Sequence, residues 1–240
     1  MKVDDLNGVG AAEQDWVKAA ADEVRNLIVN GVIKPGERIF EAQLARQLGA
    51  SRTALREAAR LLEREGLLEL RPNKGFRVRE LTIRELIDLT ETRICIERQA
   101  VRIATGRADR GELVKKLKDT LAEISESVVA RDRLRQTEAD FRFHSMLVEH
   151  TGNRKLTAIY NQLKTELRIS MQMMGFSPNL WEQLTDIHSS LIDVIESGDV
   201  ARAEEAIEQH IREAWQETLQ QIPSAMDMSI GALMGKQAPH

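Results

Sequence analysis

At 240 residues with a single cysteine, the chain is long enough for one or two domains and excludes an internal disulfide framework. No run of 18 apolar residues occurs and the N-terminus is polar and acidic, so neither a membrane span nor a signal peptide is expected, and the lone Cys95 suits a reducing cytoplasm. The net charge of −4 argues against a nucleic-acid partner for the chain as a whole, but residues 15–79 carry 13 Lys and Arg against 9 Asp and Glu, whereas residues 80–240 carry 20 against 26. A basic module therefore precedes an acidic one. Aromatics are scarce and Ala, Leu, Glu, Arg and Ile dominate, so the fold is expected to be mainly α.

Residues 1–13 are expected to be disordered. A helix is predicted from about Asp15 to Asn30, where Val17, Ala20, Ala21, Val24, Leu27 and Ile28 keep the 3.6-residue period. Gly31 stops it, and Lys34-Pro35-Gly36 forms a turn. Leu44, Ala45 and Leu48 give a short second helix one apolar face, and Gly49 ends it by adopting φ > 0. Ser51 stands where an N-cap belongs. The third helix buries Leu55, Ala58, Ala59, Leu61 and Leu62 and presents Arg52, Thr53 and Arg56 to solvent. An exposed helix N-terminus with arginines and hydroxyls suits phosphates and base edges. Gly66 then leads into Leu67, Leu68 and Leu70, the tip Arg71-Pro72-Asn73-Lys74-Gly75, and Phe76 and Val78. This reads as a two-stranded wing with Arg71 and Lys74 as cationic contacts.

These residues resemble the DNA-binding domain of the GntR family of bacterial transcription factors. The resemblance rests on Gly31-Val32-Ile33-Lys34-Pro35-Gly36-Glu37-Arg38, Leu44-Ala45, Leu48-Gly49, Ser51-Arg52, Arg56-Glu57-Ala58, Leu62-Glu63-Arg64-Glu65-Gly66-Leu67 and Gly75-Phe76-Arg77-Val78. It implies a winged helix-turn-helix over 14–80 that binds double-stranded DNA. The implied contacts are Arg52, Thr53 and Arg56, with Gly75 at the wing tip. A further contact position, often an arginine in that family, falls on Ala42, with Arg46 one turn on as its candidate substitute.

From Thr82 the chain reads as helix throughout, with segments at 83–106, 109–131, 133–151, 153–175, 178–197 and 199–221. The stretch 83–88 is open to being a separate short helix. Short connections predict antiparallel neighbours in a bundle over 82–222. Residues 223–240, including His240, are expected to be a flexible tail.

Within that bundle three histidines fall on apolar faces. His188 lies in the stripe of Leu184, Leu191 and Ile195. His210 lies in that of Ala203, Ile207 and Ala214. Asp140 and His144, four apart, stack on one helix face with Leu147. His150 is roughly 120° around that helix from His144 and reads as a surface residue. A lone histidine on an apolar face is usually an ordinary core residue. Three of them with a carboxylate point to a metal site, because a buried carboxylate must be paired or bind a cation. Neutral imidazoles with a carboxylate suit zinc first, and nickel, manganese or iron as well.

The same region resembles the FCD effector-binding domain of the FadR subfamily of GntR regulators. It does so through Glu91-Thr92-Arg93 with Glu97, Asp140-Phe141-Arg142-Phe143-His144, Gly152-Asn153 with Leu156, His188 with Leu191-Ile192, and Ser197-Gly198-Asp199 ahead of Ala206 and His210. The resemblance implies that Asp140, His144, His188 and His210 are metal ligands. It also implies that the metal and Arg93 hold the carboxylate of a small organic acid. Arg93 has a second reading as an ion-pair partner of Glu97. Arg168, on a polar stripe with Asn161, is a further effector-binding candidate. Six helices in this domain suit the VanR type. The expected protein is a homodimeric transcriptional regulator, a repressor, on a palindromic operator, with DNA affinity controlled by the acid. Two other readings stand beside it. One is a metal-dependent enzyme on the Asp/His site, disfavoured because four protein ligands would fill a tetrahedral centre and no general base accompanies them. The other is a regulator that senses the metal itself.

Overall fold

The structure, a computed structural model, describes residues 4–174 and 178–219. The chain divides after Glu80 into two compact units. The first contains α1 (Asp4–Val29), α2 (Glu41–Gln47), α3 (Arg52–Arg64), β1 (Leu68–Arg71) and β2 (Gly75–Val78). The second contains α4 (Ile83–Gly106), α5 (Arg110–Ala130), α6 (Arg133–His150), α7 (Arg154–Met174), α8 (Pro178–Ser197) and α9 (Val200–Leu219). No described helix is long and apolar enough to cross a membrane.

In the first unit α1 packs on α3 through Ala20, Ala21, Val24 and Ile28 against Ala54, Leu55, Ala58 and Leu62, all buried. α2 closes on Gly49, whose φ of 65° allows two bonds. Ala50 N–H reaches Ala45 O at 2.9 Å and Gly49 N–H reaches Arg46 O at 3.4 Å, so carbonyls left over at the helix end are satisfied within the turn. Ser51 then opens α3, its side chain accepting from Ala54 N–H at 3.0 Å. The wing pairs antiparallel, from Leu68 opposite Val78 to Arg71 opposite Gly75. Its tip has Pro72 followed by Asn73 at φ 61°, with Lys74 N–H bonded to Arg71 O at 3.0 Å, the pattern of a type II turn.

Two expectations are corrected, and one alternative left open is decided. Residues 4–13 are helical, not disordered: α1 begins at Asp4 rather than near Asp15. Extending a formed helix adds one bond per residue fixed, and Ala11, Ala12, Glu13 and Gln14 offer no breaker. The stretch 83–88 is part of α4, which runs unbroken from a capping box in which Glu85 N–H reaches Thr82 Oγ1 at 3.2 Å and Thr82 N–H reaches Glu85 Oε2 at 2.8 Å. His150 is not a surface residue: its side chain is 13% exposed and faces Asp109 Oδ1 at 3.3 Å. The tail 223–240 lies outside the described residues.

The second unit is a bundle. α4 packs on α9 and α6, α5 on α6 and α8, and α7 on α6 and α4. Its apolar core joins Val101, Ala104, Leu117, Ile124, Phe143, Leu147, Leu191, Ile195, Ala203 and Ile207. Two buried carboxylates and the histidines interrupt this core at one level, and they make the candidate site.

Candidate metal centre and nucleic-acid interface

α6 supplies Asp140 and His144 from successive turns of its buried face, α8 supplies His188 and α9 supplies His210. The ligand-competent atoms of His144, His188 and His210 all lie within 4.8 Å of one another. Asp140 Oδ1 is 3.0 Å from His188 Nε2 and 3.9 Å from His144 Nε2. His210 Nε2 is 3.2 Å from His144 Nε2. The edge of Phe143 covers the group, with ring centroids 4.8 Å from His188 and 5.5 Å from His144.

Two of the tautomers follow from the surroundings. His188 Nδ1 is 2.8 Å from the carbonyl oxygen of Leu184 and His144 Nδ1 is 2.6 Å from Glu97 Oε2. Each of these oxygens is an acceptor, so each Nδ1 carries a proton, and in the neutral ring Nε2 presents the lone pair. The lone pair of His188 faces an oxygen of Asp140, and despite the 3.0 Å separation His188 Nε2 makes no aligned hydrogen bond. Two acceptors at that distance repel unless a proton or a metal ion lies between them. Burial, then His188 and His144, hold the His210 imidazole well below its usual range, so it stays neutral. Burial pushes the Asp140 carboxyl up, while protons on His188 and His144 would pull it down and keep it ionised, a role that a divalent ion between these groups would take over. A carboxylate and three imidazoles is a donor set that fits a divalent metal.

Sequence reasoning missed Glu97 and Tyr160 as parts of this site. Glu97 is wholly buried on α4. Its Oε2 accepts from His144 Nδ1, and its Oε1 accepts from Arg93 Nε at 2.7 Å and from the Tyr160 hydroxyl at 3.0 Å. Burial alone would raise its carboxyl, but Arg93 and His144 hold it at about 2. Burial and Glu97 push the Tyr160 hydroxyl up, keeping it a donor. The signal was present: Glu97 falls between Ile94 and Val101 on the apolar face of α4. It was absorbed by its i, i+4 relation to Arg93.

Of the two effector-binding candidates, Arg93 reaches the cluster. Its side chain is 13% exposed, and only Nε is used by Glu97. Arg168 instead gives Nε and one terminal nitrogen to Glu138 at 3.1 and 2.9 Å and lies over the Phe141 ring at 4.9 Å. A separate groove of about 550 Å³ between α4 and α9 contains none of these residues. Both of its arginines pair with Glu208, Arg98 at 2.6 Å and Arg212 at 2.7 Å.

In the first unit Arg52, Thr53 and Arg56 project from the exposed side of α3, and Lys74 from the wing tip. Arg52, Arg56 and Lys74 make no ion pair among the described residues, which leaves them for an external anion. The other candidates are partly engaged. Ser51 uses its hydroxyl as the cap, Arg46 Nε donates to Ala42 O at 3.3 Å and Arg71 pairs with Glu69 at 2.6 Å. Gly75 adopts φ 77°, with an added Cβ meeting nothing closer than Arg38 and Glu41 at 3.9 Å. The backbone angle, more than crowding, demands glycine there.

Residues 17–78 match the family described as bacterial regulatory proteins, gntR family, and residues 88–213 match the FCD domain. The HTH-type transcriptional regulator YdhC of Bacillus subtilis (strain 168) is 30% identical over 193 residues, 79% of this chain and 83% of that protein. A probable D-xylose utilization operon transcriptional repressor of Paenarthrobacter nicotinovorans is 31% identical over 196 residues, 80% of this chain and 85% of that protein. The crystal structure of a putative GntR transcriptional regulator from Rhodococcus sp. RHA1 superposes with a TM-score of 0.71 at 22% identity, covering 85% of this chain and 98% of that one, which is a likeness of fold.

Proposed function

The chain belongs to the GntR family of bacterial transcriptional regulators, with an FCD domain following its helix-turn-helix, and from that premise we propose that it is a repressor whose hold on DNA is set by a small organic acid seated at a metal. The observation that carries this reading is the convergence of Asp140 with three imidazoles, with the Nδ1 protons of His144 and His188 directed at Glu97 and the Leu184 carbonyl. Asp140, His144, His188 and His210 would hold one divalent ion, zinc first among the candidates and nickel, manganese or iron after it. When bound, the ion offers open coordination positions to a carboxylate if it is five- or six-coordinate.

The chain's own residues do the rest. Glu97 orients His144 and raises its basicity as a ligand. Arg93, anchored by Nε, has its terminal nitrogens available for the carboxylate of the acid. Phe143 keeps water off two of the imidazoles. In the other unit Arg52, Thr53 and Arg56 would read the major groove, with Lys74 and Gly75 at the wing, Arg46 and Arg71 in support and Ser51 fixing the helix start. One recognition helix reads only a half-site, so the working species is a homodimer on a palindrome, in the cytoplasm. The acid controls DNA affinity to the extent that it binds two arrangements of the dimer differently. Six helices among the described residues of the second unit support the VanR type within the FadR subfamily.

Metal content tests the reading. The purified chain should hold one divalent ion per chain, and His188→Ala should lose it. Equal metal content in a folded His188→Ala protein would overturn the proposal.

A further inference from the structure

Gln136 is wholly buried on α6, one helical turn before Asp140 and on the same face as Asp140 and His144. The Thr137 hydroxyl donates to its Oε1 at 3.4 Å, which leaves the Nε2 end of the amide to donate. Nε2 has no partner. Leaving a buried donor unpaired costs stability, and an apolar side chain of the same size would fill this space without that cost. Gln136 shares the helix face of Asp140 and His144, so an acceptor that arrives with a molecule bound on that face would satisfy the donor.

Resting on the acid-binding reading above, we infer that Gln136 reads the far end of the effector. Its amide donates to a second oxygen of the bound acid. The effector is then a short acid bearing a hydroxyl, carbonyl or second carboxylate oxygen roughly 6 Å from the metal-seated carboxylate, the rise of four helical residues. Arg93 and the metal hold the common carboxylate and do not distinguish one acid from another; Gln136 does. A trapped water would also satisfy Nε2, and selectivity between ligands separates the two cases.

The test is calorimetric titration of the zinc-loaded full-length protein with ω-hydroxy acids of three to five carbons. Each is compared with the alkanoate that carries a methyl in place of the hydroxyl, so that charge and size are matched. For one chain length the wild type should favour the hydroxy acid by about tenfold, the yield of one well-made hydrogen bond. Gln136→Met, apolar and close in volume, should lose that preference and keep the alkanoate affinity. Gln136→Leu repeats the comparison should the methionine variant fold poorly. A preference of the same size in wild type and variants, or none at any length in the wild type, overturns the inference. Absence of binding by every acid to the zinc-loaded wild type is a different result: it overturns the acid-binding reading and the inference with it.

Discussion

His144 Nδ1 stands 2.6 Å from Glu97 Oε2, and neither side chain is exposed by more than 1%. The contact makes Nδ1 the donor and turns the Nε2 lone pair toward Asp140 and His210. Glu97→Gln keeps the shape but offers an uncharged oxygen. Metal affinity should fall by roughly ten- to a hundredfold, as for other partners that orient a ligating imidazole. Competition with a chromophoric chelator measures it, and an unchanged affinity would remove Glu97 from the site.

The same carboxylate should shape the acid limb of stability. Its folded value of about 2 lies below the ordinary 4.5. As the pH falls, the unfolded chain therefore takes up the proton first. The stabilisation is complete above 4.5 and is lost as the pH drops toward 2. Urea midpoints of the metal-free protein should decline across this window, and Glu97→Gln should make the decline shallower. An identical acid limb in the variant would show that the pairing with Arg93 and His144 does not survive in solution.

Arg93 and Arg168 can be separated by substitution. Arg93→Lys retains a charge for Glu97 but loses the planar fork, so acid affinity should drop by about 1.5–3 kcal/mol, the range for a hydrogen bond to a charged group. Arg168→Ala should leave it within twofold, because that guanidinium is held by Glu138 and Phe141. The reverse ranking would move the acid toward α7.

On the DNA side, Arg52→Ala or Arg56→Ala should cost about 1–3 kcal/mol of specific binding if the contact is to a base. Lys74→Ala should weaken binding evenly across sequences and reduce the salt slope by about one. None of the three should alter metal content. Loss of metal in any of them would contradict the separation of roles between the two units.

Much of this was legible in the sequence because helical spacing is a geometric statement. Asp140 and His144 four apart, and His188 and His210 inside apolar stripes, have few places to go in a bundle but its interior. The helix-turn-helix was legible for a similar reason: Gly49 and Ser51 mark where one helix must stop and the next begin. What escaped was of another kind. Glu97 looked satisfied by Arg93, and the sequence gives no means of seeing that its second oxygen faces a histidine 47 residues away. Tyr160 reaches Glu97 across 63 residues, and Gln136 is notable only for a partner it lacks. His150 was misjudged because its angle leaves the α6 face with Asp140, yet Asp109 covers it from the turn before α5. The early start of α1 follows from local continuation, since the helix extended toward the N-terminus from Asp15 meets no proline.

Occupancy at Asp140, His144, His188 and His210 should be felt at Arg52 and Arg56. The direct measurement is the affinity of the zinc-loaded protein for its own upstream DNA at fixed salt, with and without a saturating acid identified by thermal-shift screening, in wild type and His188→Ala. Wild-type affinity should change by at least about fivefold on adding acid, the lower end of ordinary coupling between sites, while His188→Ala binds the DNA and does not respond. A wild type indifferent to acid, or a His188→Ala protein that responds equally, would contradict this coupling.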